Sequence, residues 1–140
     1  MDQIRILIVD DHDVVRDGVR TLITRRPGLE VCGEANCGVD AIRKAQELKP
    51  DVAVVDLGMP DISGVEVTRR IRDLNPAIEV VILTMYETYQ FVRETIAAGA
   101  RGYVLKSRTG RDLVDAIRCA NQQVRFISPE VSEAMRPPRV

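Results

Sequence analysis

The sequence predicts an α/β fold: a doubly wound parallel sheet of (βα)₅ type, with strand order 2-1-3-4-5 and helices on both faces. Short apolar runs, rich in β-branched residues and leucine, alternate five times with segments of helical periodicity. Breaks that contain proline or glycine follow the helical segments, at residues 25–28, 49–51, 75–77 and 98–100. Strands that alternate with helices pair in parallel through right-handed crossovers, and the helices then cover both faces of the sheet.

The five apolar runs are the predicted strands. In chain order they cover residues 4–10, 29–35, 52–57, 80–84 and 102–106. The first, third and fourth runs are almost continuously apolar, which is typical of parallel strands covered on both faces. The second run alternates apolar or small residues with more polar ones, and this pattern favours a strand at the edge of the sheet.

The segments between these runs carry apolar stripes at helical spacing, each of which predicts a helix with one face against the sheet. The stripes are Val15, Val19, Leu22 and Ile23; Ala41, Ile42, Ala45 and Leu48; Val67, Ile71 and Leu74; Val92 and Ile96; and Leu113, Val114, Ile117 and Ala120. After Val124 the chain has three prolines and no clear stripe. We therefore predict one domain over residues 1–124, followed at residues 125–140 by a tail or the start of a linker.

The composition predicts a cytoplasmic globular protein and argues against several function classes. The formal net charge of −1, from 20 basic and 21 acidic residues, gives no strong field for nucleic acid or a membrane. No apolar run is long enough to span a bilayer. The three cysteines form no CxxC pair and are expected to be reduced thiols. The single histidine argues against histidine-based catalysis and histidine-rich metal sites.

Polar residues stand at the carboxyl ends of four of the predicted strands. Asp10 and Asp11 follow the first strand, Asp56 ends the third, Thr84 the fourth and Lys106 the fifth. Ligands of open parallel sheets bind beyond the carboxyl ends of the strands, where the strand order reverses. In the order 2-1-3-4-5, strands one and three are neighbours at that point, so these five residues are expected to meet at one rim.

Carboxylates that meet in this way repel one another unless a cation joins them. Oxygen-only ligands favour Mg²⁺, or Mn²⁺ in its place, over zinc. A cation, a lysine ammonium and a hydroxyl together suit a phosphoryl group, and Asp56 is the predicted nucleophile. His12 is predicted to be a loop residue, and Asp13 an N-cap or first-turn acid of the following helix.

The motifs VDDH, VVDLGMPDISG, ILTM, AGARGYVLK and FISPEV give the chain a family resemblance. From about residue 4 to residue 124 it resembles a response-regulator receiver domain of two-component signalling, which has a flavodoxin-like fold. Taken together, the motifs are most similar to those of the NarL/FixJ subfamily, whose receivers precede a LuxR-type helix-turn-helix DNA-binding domain. The resemblance implies a phosphorylated signalling domain rather than an enzyme.

The resemblance also implies a metal site. In receivers of this kind, Asp11 would bind Mg²⁺ directly and Asp10 would act mainly through a bound water. Asp56 would be a further ligand, and the backbone carbonyl of Gly58 would complete the protein ligands.

Phosphoryl transfer and switching are assigned by the same resemblance. Asp56 would accept the phosphoryl group from a phosphohistidine of a sensor histidine kinase. Lys106 would pair with a phosphoryl oxygen and Thr84 would donate its hydroxyl to another. Tyr103 would turn inward when Thr84 moves, which biases two packings of one surface.

Two residues depart from the common pattern of the family. Ser107 follows Lys106 where many receivers have proline, and we predict that this peptide bond is nevertheless cis, at a cost of ~3–4 kcal/mol. Gly58 stands where a larger polar residue is common. We therefore expect water to reach the acyl phosphate easily and self-dephosphorylation to be fairly fast.

The 16 residues after Val124 are too few for a helix-turn-helix domain. We therefore predict a fragment of a longer transcription regulator in preference to a stand-alone receiver, with DNA contacted only through the full-length protein. A homodimer would use either the surface of the first and fifth helices or that of the fourth helix, fifth strand and fifth helix.

Two other functions stay open at this point. A haloacid-dehalogenase-like phosphatase would use an Asp nucleophile with a second Asp two positions later, the spacing of Asp11 and Asp13, but it leaves Asp56 unexplained. A receiver-like interaction module that signals without phosphate would not need the five residues of the predicted site.

Overall fold

The computed structural model describes residues 3–134, which form six strands and six helices. The strands are β1 Ile4–Val9, β2 Leu29–Ala35, β3 Val52–Val55, β4 Glu79–Thr84, β5 Gly102–Leu105 and β6 Phe126–Ile127. The helices are α1 Asp13–Thr24, α2 Gly38–Leu48, α3 Gly64–Leu74, α4 Tyr89–Ala97, α5 Thr109–Asn121 and α6 Pro129–Ala134. A short 3₁₀ turn, Lys106–Arg108, joins β5 to α5.

All six strands pair in parallel in the order β2-β1-β3-β4-β5-β6, so the predicted order 2-1-3-4-5 is confirmed with one strand added. The register fixes which strand ends meet. Val55 lies opposite both Val9 and Ile82, and Thr84 lies opposite Leu105. The last residues of the four central strands therefore reach one rim together, as the sequence predicted.

Helices cover the sheet on both faces and bury two apolar layers. The layer under α2, α3 and α4 includes Val67, Ile71 and Val92, and the layer under α1 and α5 includes Ile23 and Ile117. Burial of one such side chain contributes about 1.5–3 kcal/mol. The predicted helical stripes supply these layers. The last residue of the third stripe differs, because Leu74 is 52% exposed at the end of α3.

The segment after Val124 departs from the predicted tail. Phe126–Ile127 extends the sheet beyond β5, and the following helix α6 places Val131 in the core with no exposed surface. Ser128, fully buried between them, donates its hydroxyl to Asp112 Oδ2 at 2.8 Å and accepts the N–H of Leu105 at 3.2 Å. The sequence analysis missed this segment because a two-residue strand has no periodicity. Residues 135–140 of the predicted tail lie outside the described residues.

Replacement of Ser128 by alanine is expected to lower the free energy of unfolding by about 1–3 kcal/mol, since a buried N–H and a buried carboxylate oxygen each lose a partner. Chemical denaturation measures this loss. Ser132→Ala is the matched control, because Ser132 is exposed on α6, the helix that follows Ser128. Equal unfolding midpoints for the two variants would show that Ser128 does not anchor the segment.

The structure contains no cis peptide bond among residues 3–134, so the bond between Lys106 and Ser107 is trans. The prediction of a cis bond was wrong. Without proline the cis form carries its full cost of ~3–4 kcal/mol. A trans backbone already brings the Lys106 ammonium to two carboxylates, as described below.

Among the described residues, no helix is both long and apolar enough to cross a membrane.

Candidate functional site

Two buried aspartates directly follow two neighbouring strands. Asp10 comes after β1 and Asp56 after β3, and their exposed fractions are 3% and 6%. The backbone hydrogen bonds of the sheet continue as far as these residues. Asp56 N–H donates to Val9 O at 3.0 Å, and Asp10 N–H donates to Ala35 O at 3.1 Å. The sheet itself therefore fixes the position of both carboxylates.

Lys106 joins the two carboxylates. It begins the 3₁₀ turn after β5, and its Nζ lies 3.1 Å from Asp10 Oδ2 and 3.2 Å from Asp56 Oδ1. The structure thus brings together Asp10, Asp56 and Lys106 from three strands, which the sequence analysis predicted.

The site holds more negative charge than one ammonium neutralises. Burial raises the pKa of the Asp56 carboxyl and the charge of Asp10 raises it further, against the opposing effects of Lys106 and a hydrogen bond from the Gly58 backbone. Burial by itself lowers the pKa of Lys106, but Asp10 and Asp56 outweigh it and raise that pKa above its usual value. Lys106 therefore stays charged while the ionised form of Asp56 is disfavoured.

The acidic residues are close enough to share one cation. One ligand atom from each of Asp10, Asp11, His12 and Asp56 lies within 4.8 Å of all the others. Asp10 Oδ2 and Asp11 Oδ1 are buried without a partner in hydrogen-bond geometry, although Lys106 Nζ and His12 Nδ1 respectively stand at 3.1 Å. Such oxygens suit a hard divalent ion, so this donor set fits the predicted Mg²⁺.

Thr84 and Tyr103 lie on adjacent strands near this rim. Both are fully buried. The Thr84 hydroxyl accepts the N–H of Tyr86 at 3.2 Å, and the Tyr103 hydroxyl donates to Tyr86 O at 2.7 Å. Burial raises the pKa of Tyr103 to about 12, against the opposing effect of the Thr84 hydroxyl. Tyr103 already points inward here, and the hydrogen bond found for the Thr84 hydroxyl leads to Tyr86 and not to Asp56.

The loop after β3 is anchored to α2 through Asp61 and leaves space beside Asp56. The carboxylate of Asp61 accepts the N–H groups of Gly38 at 2.7 Å and Val39 at 2.9 Å, which caps α2 and lowers the pKa of Asp61 to about 2. At its start, a Cβ added to Gly58 would lie 3.9 Å from Asp56 Oδ2. The loop is therefore anchored to α2, while its first glycine leaves space beside the Asp56 carboxylate.

Two residues near the site were not predicted as part of it. His12, expected to be a loop residue, directs Nδ1 towards the acids, and Arg16 donates to Asp10 O at 2.6 Å. The VDDH motif contains His12 but does not fix the direction of its ring, which depends on the folded acids, and Arg16 reaches back from α1 across six positions. Their proximity to Asp10 and Asp11 in the chain was the one available signal.

The family model for the response regulator receiver domain matches residues 6–118. The chain belongs to this family. Receivers act in two-component systems with histidine kinases, and they typically bind Mg²⁺ through acidic residues such as those grouped here. The predicted resemblance and the predicted fold class are both confirmed.

Curated relatives and a solved structure agree with this assignment. Response regulator GacA of Pseudomonas aeruginosa is 41% identical over 132 residues, which are 94% of this chain and 62% of GacA. Response regulator protein VraR of Staphylococcus aureus is 39% identical over 133 residues, which are 95% of this chain and 64% of VraR. The chain thus spans less than two thirds of either relative. A crystal structure of a LuxR-family response regulator from Aurantimonas is 40% identical with a TM-score of 0.92, and the match covers 96% of both chains.

Proposed function

We propose that this receiver is a phosphorylation-activated switch whose phosphoacceptor is Asp56 and whose phosphodonor is the phosphohistidine of a histidine kinase. The observation that carries the proposal is the contact of Lys106 Nζ with Asp10 and Asp56, from three strands that meet at one rim. The rim presents Asp56 as the nucleophile and a fixed positive charge beside it. The receiver signals through this modification and is not an enzyme acting on a separate substrate.

In the proposed transfer, an oxygen of the Asp56 carboxylate attacks the phosphorus and forms a P–O bond. The P–N bond to the donor imidazole breaks, and the leaving nitrogen takes up a proton. Lys106 faces Asp56 at 3.2 Å and would pair with a phosphoryl oxygen.

In this proposal Mg²⁺ or Mn²⁺ would bind directly to Asp11, Asp56 and the Gly58 carbonyl. Asp10 would hold the ion through a water. The bound cation would offset the negative charge of the phosphoryl oxygens. The buried oxygens Asp10 Oδ2 and Asp11 Oδ1, which lack hydrogen-bond partners, support this use of the acids.

The proposed switch runs through Thr84 and Tyr103. A phosphoryl group adds about −1.5 to −2 charge and three acceptor oxygens. One of these oxygens would draw the Thr84 hydroxyl away from the Tyr86 N–H, to which it is bonded at 3.2 Å. The Tyr103 hydroxyl donates to the carbonyl of the same residue at 2.7 Å, so a shift of Tyr86 would also change the surroundings of Tyr103 on β5.

The output proposed for the intact protein is transcription control through a helix-turn-helix domain that follows the receiver. The chain's match covers 62% of GacA, and the solved relative from Aurantimonas is a LuxR-family regulator. In this proposal DNA is contacted only by the full-length protein, which works in the cytoplasm and can form a homodimer. Because β6 and α6 pack on the receiver, the receiver domain in this proposal would end after α6 and not near residue 124.

Phosphorylation by acetyl phosphate tests the proposal. With Mg²⁺ present, intact-mass spectrometry is expected to show one added phosphoryl group, and peptide mapping is expected to place it on Asp56. Asp56→Ala is expected to lose the label, while the exposed control Asp73→Ala keeps it. Rapid turnover with Asp11 as the labelled nucleophile would instead indicate a phosphatase. Absence of both label and metal binding would indicate a phosphate-independent interaction module.

Gly58→Asn is expected to slow the loss of phosphate by roughly 3- to 10-fold, equivalent to at most ~1.4 kcal/mol of barrier. A side chain at this position begins 3.9 Å from Asp56 Oδ2 and would shield the acyl phosphate from water. The decay of the phosphorylated mass after removal of the donor measures the rate. Gly58→Ala, which adds only the first carbon, serves as the control, and an unchanged rate for Gly58→Asn would contradict shielding as the cause.

A further inference from the structure

An imidazole stands among the carboxylates of the site. His12 is 63% exposed in its side chain, yet Nδ1 lies 3.1 Å from Asp10 Oδ1 and 3.1 Å from Asp11 Oδ1. The ring therefore folds back over the acids although solvent is available to it. The same nitrogen belongs to the group of four ligand atoms that lie within 4.8 Å of one another, together with Asp56.

We propose that His12 is a nitrogen ligand of this metal site and makes it selective for a borderline divalent ion, such as Co²⁺ or Ni²⁺, over Mg²⁺. The inference deepens the proposed function, because it concerns the same cation site. Imidazole suits transition ions, and a nitrogen donor raises affinity in the order Mn²⁺, Co²⁺, Ni²⁺. Mg²⁺ prefers oxygen ligands and keeps its waters. One nitrogen beside three carboxylates therefore changes which ion the site prefers.

The hydrogen bonds around the ring support a ligand role. Asp10 Oδ1 accepts the backbone N–H of His12 at 2.9 Å, and the hydrogen bond between the same oxygen and Nδ1 at 3.1 Å keeps the ring turned towards the acids. Asp11 Oδ1 is buried and has no partner in hydrogen-bond geometry. Asp10 and Asp56, both buried, face the single ammonium of Lys106, and Asp11 lies beside them, which leaves negative charge for a second cation. The imidazole nitrogen is positioned where that cation would bind.

Metal titrations at one fixed pH test this on wild type and His12→Asn. Calorimetry with Co²⁺, Ni²⁺ and Mg²⁺ as separate titrants is expected to show roughly 10-fold weaker Co²⁺ and Ni²⁺ binding for the variant. The Mg²⁺ affinity should fall by less, roughly 2-fold at most. An equal loss for all three ions would overturn the proposal, because His12 would then only orient the acids.

Pulsed electron paramagnetic resonance of the Mn²⁺-loaded protein gives a direct readout. His12 is the only histidine of the chain, so an imidazole ¹⁴N coupling to Mn²⁺ identifies it once any affinity tag has been removed. The coupling is expected in wild type and should disappear in His12→Asn. Its absence in Mn²⁺-loaded wild type would overturn the proposal. Labelling of wild-type Asp56 by acetyl phosphate with Mg²⁺ would, in that case, leave the proposed function standing.

Discussion

Lys106→Met is expected to destabilise the metal-free protein by about 2–3 kcal/mol. Removal of one partner from a fully buried ion pair costs 3–5 kcal/mol, and we expect less here because the Lys106 side chain is 21% exposed. The variant keeps the apolar length of the side chain but leaves Asp10 and Asp56 facing each other without the ammonium at 3.1 Å and 3.2 Å. Urea denaturation in the presence of a chelator measures the loss. The exposed Lys49→Met is the matched control.

The pH dependence of this effect has a definite sign. The pKa of Asp56 is already raised above its unfolded value by burial and by Asp10, and loss of the ammonium raises it further. The folded state then binds a proton more readily than the unfolded state. The deficit of Lys106→Met is therefore largest at neutral pH and becomes smaller as the pH falls through the pKa of Asp56. A deficit that does not depend on pH would indicate lost packing instead of uncompensated charge.

Millimolar Mg²⁺ is expected to stabilise Lys106→Met more than wild type. A ligand that binds only the folded state adds free energy in proportion to the logarithm of its concentration over its dissociation constant. In the variant no ammonium competes with the cation for Asp10 and Asp56. Equal stabilisation of the two proteins would show that Lys106 and the metal do not share these acids.

The sheet and the rim were predictable because both depend on local signals. Continuous apolar runs marked β1, β3 and β4, and an acid or hydroxyl at the end of each run marked the rim. Parallel pairing then required Asp10 and Asp56 to become neighbours. This prediction did not depend on side-chain orientation, since the carboxyl ends of adjacent parallel strands lie side by side.

The remaining contacts depend on positions far apart in the chain. Asp61 caps α2 across 22 and 23 positions, and Ser128 reaches Leu105 across 23 positions. His12 lies next to the acids in sequence, but the direction of its ring follows from where the folded carboxylates stand. Such contacts have no period and no spacing rule, so composition and pattern could not indicate them. Tyr103 differs again, because its inward position was expected only after phosphorylation.

Gly64→Ala is expected to destabilise the protein by about 1–3 kcal/mol and to slow phosphorylation of Asp56. A Cβ at this position would lie 2.3 Å from the backbone oxygen of Asp56 and 2.7 Å from the Cα of Leu57. Gly64 N–H also donates to Leu57 O at 2.9 Å, so α3 begins in close contact with the backbone of Asp56, the proposed phosphoacceptor. The neighbours are main-chain atoms and cannot rotate away. The loop or the start of α3 must therefore shift.

Gly110→Ala separates this clash from the general effect of adding a methyl group to a glycine. Gly110 is an exposed residue of α5, and nothing lies within 4 Å of an added Cβ there. Gly110 is the second residue of α5, and alanine at a helical position is more stable than glycine by at most roughly 0.5–1 kcal/mol. The two variants should therefore shift the unfolding midpoint in opposite directions, and only Gly64→Ala should slow labelling by acetyl phosphate. If Gly64→Ala loses stability but is labelled at the wild-type rate, the shift is confined to α3 and the Asp56 backbone holds its place through its bond to β1.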